Sequence, residues 1–377
     1  MLNLREADLK GKRVLYRADY NVPLKNGVIQ DDFRIVATYP TLDFLIEKGA
    51  KIILVSHVGR PDGHVIEELS LRPMAEKLAE HYKKHTVRLA NQLFAPEVEE
   101  SIAEMDEGDI ILLPNIRFFA DEETNSEAFG RQLANLADIY VDDAFAVIHR
   151  PHASIVAPPL YLPSYPGFLV EAELNHLGGI LKDPAHPFVV IMGGAKVSDK
   201  IEVIRALGKV ADTLLIGGAM ANTFLLAQGE NIGASKAEPE KRHLAEELMK
   251  ELGEKIFLAP DYVKEEENGE FRYLDIGEKS IQMFEDRLKD AKTVFWNGSL
   301  GYTEQAPYDK ATRAIAEYVG NLKDAHTIVA GGDTVEMLTE MKLHDKFTFV
   351  STGGGAALDF LAGVELPGVT ALENAKC

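Results

Sequence analysis

The sequence contains very little cysteine and no long hydrophobic run. Its single cysteine is Cys377, the last of 377 residues, so an intrachain disulfide has no second thiol, which is typical of a reducing compartment. No apolar stretch approaches the roughly 20 residues that span a bilayer. The first residues also lack the apolar core of a signal peptide. We therefore expect a cytoplasmic protein.

Basic residues are also few relative to acidic ones. The chain has 40 Lys and Arg residues against 60 Asp and Glu residues, for a formal net charge of -20. Such a charge disfavours nucleic acids and anionic membranes as partners, because their phosphates require dense positive charge. An anionic small molecule would need a local cluster of basic side chains. The length, in turn, favours two domains.

Short apolar runs recur along the chain and alternate with segments of helical periodicity. The runs are rich in Val and Ile and end at polar or glycine-rich turns, as expected of parallel strands buried on both faces. Segments 71–85 and 242–255 place their apolar residues on one helical face. This alternation predicts an α/β fold with parallel sheets. The predicted strands are 14–16, 52–55, 110–113, 139–141, 188–192, 213–217, 293–296, 327–330 and 347–350.

A domain boundary is predicted within residues 164–187. SYPG (164–167) has turn composition, and DPAHP (183–187) has two prolines. Between them, a helical stripe of Val170, Leu174, Leu177 and Leu181 surrounds two glycines, Gly178 and Gly179, each costing about 1 kcal/mol relative to Ala. The pattern fits either a surface helix with a loose end or an interdomain helix that can bend.

The residues that follow the predicted strands differ between the two halves. Ligands of open parallel sheets bind outside the carboxyl ends of the strands. In the first half, Arg60, Arg117 and Arg150 follow three strands, and Arg34 lies after the first strand. Converging arginines would form an anion pocket, because guanidinium matches phosphate and carboxylate. Taken singly, each arginine could instead form a surface ion pair.

The strand ends of the second half are mostly glycine, which lets backbone amides approach a nucleotide. Neither G-x-x-x-x-G-K-[ST] nor a G-x-G-x-x-G after a strand occurs, which argues against a P-loop NTPase and an ordinary dinucleotide dehydrogenase. His149 and His152 are separated by Pro151 and Arg150 without a neighbouring acidic or cysteine cluster. A structural role suits them better than zinc binding.

Nine motifs together resemble those of phosphoglycerate kinases, in the order of that family. The resemblance extends from about Leu9 through LPGVTAL (366–372), which is nearly the whole chain. The motifs are RADYNVPL (17–24), SHVGRPDG (56–63), NIRF (115–118), HRPHAS (149–154), GGAKVSDKI (193–201), GGAMANTFL (217–225), WNGSLG (296–301), GGDT (331–334) and STGGGAALDFL (351–361).

The resemblance implies two doubly wound parallel-sheet domains that face a cleft and are joined by an interdomain helix. A 3-phosphoglycerate-binding domain would comprise 1–166, with 356–377 folding back onto it, and a nucleotide-binding domain would comprise 167–355. The implied reaction is reversible phosphoryl transfer between 1,3-bisphosphoglycerate with ADP and 3-phosphoglycerate with ATP, in glycolysis and gluconeogenesis. Mg²⁺ would enter with the nucleotide, and the enzyme would be a hinge-bending monomer.

The same resemblance assigns site residues. The residues implied to hold 3-phosphoglycerate are Asp19, Asn21, Arg34, His57, Arg60, Arg117 and Arg150. Those implied to hold the nucleotide are Gly194, Ala195, Lys196, Lys200, Gly217, Gly218, Asn297, Glu304, Gly331, Gly332, Asp333 and Thr334. Asp333 would bind Mg²⁺, and Arg34, Lys196, Gly354 and Gly355 would act on the transferring phosphoryl group. The turn 353–355 would contact phosphates at a helix start.

Five positions depart from the family pattern, namely Pro114, Phe119, Ala146, Ser299 and Ala330. None of them removes a charged site residue, so the resemblance implies an active enzyme. Two other classes remain open at this point: a hinged binding protein for a phosphorylated ligand, and a catalytically silent relative. A metal carboxylate such as Asp333 beside Lys196 argues against simple capture of a ligand.

Overall fold

The chain forms two compact units in a computed structural model, which describes residues 1–267 and 269–375. The first unit comprises Met1–Glu173 and the segment from Glu365 onward, and the second comprises Leu174–Val364. The predicted domain limits, 166/167 and 355/356, are displaced by several residues from these bounds. Residues 376 and 377 of the predicted C-terminal segment, including Cys377, lie outside the described residues.

The first unit contains a six-stranded parallel sheet in the order β5-β6-β4-β1-β7-β8. The strands β1, β4, β6 and β7 are buried almost throughout, which explains their apolar sequences. Two short strands, β2 and β3, form a separate antiparallel pair. The strands are β1 Arg13–Ala18, β2 Leu24–Lys25, β3 Val28–Ile29, β4 Lys51–Val55, β5 Val87–Leu89, β6 Ile110–Leu112, β7 Ile139–Asp143 and β8 Ser164–Pro166.

The helices of the first unit cover this sheet with their apolar faces. They are α1 Phe33–Val36, α2 Tyr39–Glu47, α3 Arg72–His81, α4 Pro96–Ala103, α5 Ala120–Glu123, α6 Glu127–Asn135, α7 Ala153–Val156 and the beginning of α8 Phe168–Lys182. Single 3-10 turns are Leu4–Glu6, Glu67–Leu69, Ile116–Phe118, Phe145–Val147 and Pro158–Leu160. The C-terminal helix Pro367–Glu373 (α16, numbered after the helices of the second unit) packs on α7 in this unit.

The second unit contains another six-stranded parallel sheet and an antiparallel hairpin. Numbered along the chain among the strands of this sheet alone, the order β11-β10-β9-β14-β15-β16 is third, second, first, fourth, fifth and sixth. This is the doubly wound order of nucleotide-binding folds. The strands are β9 Phe188–Met192, β10 Thr213–Ile216, β11 Ile256–Leu258, β12 Tyr262–Glu267, β13 Glu270–Ile276, β14 Thr293–Asn297, β15 His326–Ala330 and β16 Phe349–Val350.

The remainder of α8 and seven further helices belong to the second unit. These seven are α9 Ile201–Val210, α10 Gly218–Ala227, α11 Arg242–Leu252, α12 Glu278–Leu288, α13 Lys310–Gly320, α14 Gly332–Met341 and α15 Gly355–Leu361. The 3-10 turns are Pro239–Lys241, Gly253–Lys255 and His344–Lys346. Among the described residues, no helix is long and apolar enough to cross a membrane.

The predicted α/β class with two parallel-sheet domains is confirmed. Each of the nine segments predicted as strands contains an observed strand. Two local predictions are wrong. Ser164–Pro166 is an edge strand rather than a turn, and an edge strand tolerates a proline that has no N–H to donate. The last strand is shorter than predicted and comprises only Phe349–Val350. Just before it, the N–H of Thr348 donates to the hydroxyl of Thr327 at 3.0 Å, and the N–H of Thr327 donates to the hydroxyl of Thr348 at 3.1 Å, so side-chain bonds replace the backbone ladder there.

Helix α8 begins in the first unit and continues into the second. Its first amides are capped by the carboxylate of Asp143, which accepts from the N–H groups of Leu169 and Val170 at 2.9 and 3.2 Å. Burial raises the pKa of Asp143 to about 6 despite these bonds. A Cβ at Gly178 would make only an ordinary contact, at 3.7 Å, and one at Gly179 would meet nothing. Packing therefore requires neither glycine, which favours the interdomain-helix interpretation.

Candidate active site

The first candidate site lies where the connections of the first sheet change direction. Strand β1 pairs with β4 on one side and with the much later β7 on the other. The carboxyl ends of strands at such a switch point form the usual ligand crevice of open α/β sheets. Asp19 and Asn21 follow β1, and His57 follows β4.

Asp19 is at the centre of this site. Its carboxylate is 6% exposed, pairs with the guanidinium of Arg34, and lies 3.4 Å from Nδ1 of His57. Burial alone would raise the pKa of Asp19, but the positive charges of Arg34 and Arg17 and the bond from the N–H of Asn21 outweigh it and hold the pKa below its ordinary value. Burial also holds the pKa of His57 well below 6.5. The imidazole is therefore neutral near pH 7.

Gly59 connects two further predicted residues. Its N–H donates to Oδ1 of Asn21 at 2.9 Å, and its carbonyl accepts from Nη1 of Arg117 at 3.0 Å. Arg117 also pairs with Glu123 at 3.2 Å. Burial lowers the pKa of Arg117 from its ordinary value, and the nearby charge of Arg17 adds to this effect. The backbone turn after β4 thus orients both side chains.

Arg60 and Arg150 are exposed, whereas Arg117 is buried. The charge of Arg150 contributes to lowering the pKa of both Arg117 and His152, so it lies close to the other basic groups. Within the part of the chain that the structure describes, no side-chain hydrogen bond ties Arg60 or Arg150 to the cluster. The structure brings Asp19, Asn21, Arg34, His57 and Arg117 into one hydrogen-bonded and ion-paired arrangement, with these two arginines beside it.

A buried network beneath this cluster was not predicted. Arg17 is fully buried, donates from Nε to Oγ of Ser154 at 2.8 Å and lies 3.8 Å from Glu122. Glu122 accepts from the N–H and the hydroxyl of Ser154 at 2.8 and 2.6 Å. Nothing in the acidic segment containing Glu122 distinguishes it from a solvent-exposed residue, because its partners are distant in sequence.

The second candidate site is a cavity of about 460 Å³ in the second unit. It lies at the carboxyl ends of the second sheet, whose switch point falls between β9 and β14. The predicted residues that line it are Gly194, Ala195, Gly218, Glu304 and Asp333. Ala219 and residues 299–301 also line the cavity.

Lys200 lies directly behind this lining. Its ammonium donates to the carbonyl of Gly193 at 2.7 Å, and burial lowers its pKa to about 8 against the opposing attraction of Asp333 and Asp199. A Cβ at Gly298 would lie 2.6 Å from Nζ of Lys200, in a backbone conformation with φ of +90°. Glycine at that position therefore makes room for the ammonium group.

Asn297 and Thr334 are buried rather than presented to a ligand. The amide of Asn297 donates to the carbonyl of Ala330 at 3.0 Å, and the hydroxyl of Thr334 accepts from the N–H of Gly298 at 2.9 Å. These bonds hold the ends of β14 and β15 and the start of α14 together.

The remaining predicted residues occupy strand ends and helix starts. Lys196 is exposed and precedes α9, and Asp333 is exposed in the first turn of α14. Gly217 is the residue before α10, while Gly331 and Gly332 begin α14. Gly354 and Gly355 begin α15, and neither they nor Lys196 lines the cavity. The helix N-termini supply partial positive charge.

The opposite wall of the cavity was missed by sequence reasoning. It consists of the β12–β13 hairpin, whose residues Tyr262, Glu265, Arg272 and Tyr273 line the cavity. The sequence YVKEEE of β12 has the charge of an exposed surface and follows no motif. Alternation of Phe271 and Tyr273 with polar residues in β13 was the only available signal.

Comparison with known proteins identifies the family of the chain. A family model described as phosphoglycerate kinase matches residues 4–364. The chain belongs to the phosphoglycerate kinase family. A curated phosphoglycerate kinase from Dictyoglomus turgidum is 46% identical, with 99% of this chain and 98% of that protein covered.

Two solved phosphoglycerate kinase structures are similar along their whole length. That from Coxiella burnetii has a TM-score of 0.86 at 35% identity and covers 100% of both chains. That from Pyrococcus horikoshii OT3 has a TM-score of 0.88 at 29% identity, with 99% of this chain and 98% of the other covered. The chain is therefore an ATP-dependent phosphotransferase with a carboxyl group as acceptor, acting in glycolysis as phosphoglycerate kinases do.

Proposed function

We propose that the cluster around Asp19 and Arg34 binds 3-phosphoglycerate and that the cavity beside Lys200 and Asp333 binds ATP or ADP. The observation that supports this most strongly is the cavity at the switch point of a doubly wound sheet, with one ammonium and one carboxylate beside it. Although the chain is acidic overall, several arginines lie at the strand ends of the first sheet, and they would bind the second, anionic substrate.

Charge compensation explains how these residues would accelerate the transfer. The acceptor carboxylate attacks the γ-phosphoryl group, and negative charge shifts toward the bridging oxygen of the leaving ADP. Arg34 and Lys196 would neutralise charge on the transferring group, and Lys200 would neutralise the nucleotide phosphates. Neutral His57 would donate or accept a hydrogen bond without adding charge. Since the acceptor is already a carboxylate, the step needs no general base.

Mg²⁺ would be held by Asp333 together with nucleotide phosphates. Mg²⁺ takes oxygen ligands and usually binds through one or two carboxylates plus substrate phosphates. The exposed carboxylate of Asp333, on the cavity wall and in the first turn of α14, fits that demand. Within the described ranges, no group of three or more His, Cys, Asp or Glu residues could hold a metal by itself. The bound ion would screen the phosphate charge.

Movement of the two units forms part of this proposal. Each ligand binds to a different unit, and transfer requires the reacting atoms to be aligned and shielded from water. Helix α8 would supply the bend, because Gly178 and Gly179 weaken its interior without being required by packing. Solution X-ray scattering with 3-phosphoglycerate and a nonreactive ATP analogue, together and singly, tests closure. A radius of gyration that does not decrease with both ligands would contradict it.

A coupled assay of ATP-dependent phosphorylation of 3-phosphoglycerate tests the site assignment. Lys196→Met should lower turnover by roughly 100- to 1000-fold at saturating substrates, as for removal of one preorganised donor. Inactivity of the wild-type protein with intact binding of both ligands would indicate a binding protein or a silent relative. Monomeric state and cytoplasmic location remain predictions, and light scattering after size-exclusion chromatography tests the first.

A further inference from the structure

The turn that carries Lys196 lies between the end of β9 and the start of α9. Within this turn Val197 is buried, whereas Lys196 and Asp199 are exposed. The N–H of Lys200 donates to the carbonyl of Val197 at 3.0 Å, and the ammonium of Lys200 is anchored on the carbonyl of Gly193. Because the side chain of Lys196 is long and exposed, the position of its ammonium depends on where the backbone of the turn is held.

A carboxylate from a distant segment binds this turn. Oε2 of Glu238 accepts from the N–H of Ser198 at 3.0 Å, and Oε1 of Glu238 accepts from the hydroxyl of Ser198 at 2.6 Å. Burial would raise the pKa of Glu238, but these bonds, a bond from the N–H of Val197 and the charge of Lys196 hold the pKa below its ordinary value. Glu238 is therefore ionised near pH 7 and accepts from donors of the turn directly beside Lys196.

Glu238 is itself held by helix α10. Its N–H donates to Oγ1 of Thr223 at 3.0 Å, and Nδ2 of Asn222 donates to the carbonyl of Lys236 at 2.9 Å. Asn222 and Thr223 are both buried in α10. Because α10 begins at Gly218, which lines the cavity, Glu238 connects the turn with the cavity wall.

We propose that Glu238 is a positioning residue for phosphoryl transfer, which acts through Ser198 to set where Lys196 presents its ammonium. The inference rests on the proposed function, because it takes Lys196 as the cation that meets the transferring group. A misplacement of about 1 Å can lower the rate of an enzyme about 100-fold. Ser198 is two residues from Lys196, so a shift of the backbone at Ser198 moves the lysine as well.

A carboxylate suits this position better than an amide of the same size. Ser198 and Val197 present donors to it, and both oxygens of an ionised carboxylate accept. In Glu238→Gln one oxygen is replaced by an NH₂ group, which would face a donor of the turn. The substitution keeps the volume of the side chain, so it tests the hydrogen bonds rather than the packing.

A mutant cycle between Glu238 and Lys196 provides the test. We would measure kcat and both KM values for ATP-dependent phosphorylation of 3-phosphoglycerate. Glu238→Gln should lower kcat by about 10- to 100-fold, as for loss of a hydrogen bond to a charged group, and leave KM for 3-phosphoglycerate unchanged. In the Lys196→Met background the same change should lower kcat by less than about twofold, because a positioning residue has little effect once the group that it positions is gone.

Ser198→Ala is a milder variant that perturbs the same contact. It removes the hydroxyl donor but keeps the N–H donor, so it should lower kcat by less than Glu238→Gln does, and only while Lys196 is present. It provides the test where Glu238→Gln does not fold. Thermal unfolding measures the folded fraction of each variant, so that kcat refers to folded protein.

Asp212→Asn is the matched control. Oδ2 of Asp212 also accepts from a backbone N–H, that of Phe188 at 2.6 Å, but at the amino end of β9, opposite the end that leads to Lys196. This variant should leave kcat unchanged. Normal kcat in Glu238→Gln, or in Ser198→Ala where Glu238→Gln does not fold, or an equal loss with and without Lys196, would overturn the inference alone. Normal turnover of Lys196→Met, or no transfer by the wild type, would overturn the proposed function as well.

Discussion

The lowered pKa of Lys200 predicts that nucleotide binding takes up a proton. Burial holds this pKa at about 8 instead of 10.5, against the opposing attraction of Asp333 and Asp199. Bound nucleotide phosphates would stabilise the ammonium form and return the pKa toward its ordinary value. If the bound lysine is fully charged, binding of MgADP should take up about 0.5 proton at pH 8 and about 0.9 proton at pH 9.

The same linkage fixes how affinity depends on pH. A group that is deprotonated in the free protein but protonated in the complex weakens binding as pH rises through the free pKa. The dissociation constant for MgADP should therefore change little near pH 7 and rise up to about tenfold per pH unit above pH 8. Nucleotide phosphates titrate near pH 6, so they contribute little in this range.

Calorimetry measures the proton uptake directly. Titrations of MgADP at pH 7, 8 and 9, each in two buffers of different ionisation enthalpy, give the number of protons taken up. Lys200→Met should abolish the uptake and flatten the pH dependence. Lys255→Met is the control, since Lys255 also donates to a backbone carbonyl, that of Gly208 at 2.9 Å, but neither Gly208 nor its sequence neighbours line the cavity. No uptake at pH 9 in the wild type would refute the reasoning.

Three other predictions address the remaining parts of the proposal. Arg60→Met should raise KM for 3-phosphoglycerate by about 10- to 100-fold, as for loss of a charged hydrogen bond, and a parallel rise in KM for ATP would contradict this. Asp333→Asn should weaken binding of MgADP but leave metal-free ADP little affected, so equal calorimetric effects on both would argue against metal binding. The double change Gly178→Ala and Gly179→Ala should raise Tm by a few degrees, from about 1–2 kcal/mol of added helix stability, while lowering turnover. Unchanged turnover would place the bend elsewhere.

Central strands were predictable from sequence, whereas the edge strands β5, β8 and β11 were not. Strands such as β9 and β14 are buried on both faces, so their apolar runs carry an unambiguous signal. The edge strand β11 has three half-buried residues, and β8 contains a proline. The hairpin strand β12 is rich in glutamate. Their stability comes from neighbours that are distant in sequence, which local composition does not record.

The candidate sites divide in the same way. Residues directly after buried strands, such as Asp19 and His57, could be predicted because the topology of a parallel sheet places strand ends together. The Arg17–Ser154 bond joins residues 137 positions apart, and no local pattern signals it. Glu122 lies in an acidic segment whose other acidic residues are exposed, so its burial could not be predicted from the sequence either.

Charge balance connects these unpredicted residues with the function. A cluster of arginines in a folded chain repels itself before any ligand arrives, and the low pKa values of His57 and His152 reflect burial together with that positive field. Asp19 pairs with Arg34, and Glu122 lies close to Arg17, so carboxylates offset the cations while the site is empty. If Arg34 binds a phosphate-bearing ligand as we propose, that ligand must compete with the carboxylate of Asp19. That competition weakens binding but keeps the cluster assembled between turnovers, which suits an enzyme that must also release its product.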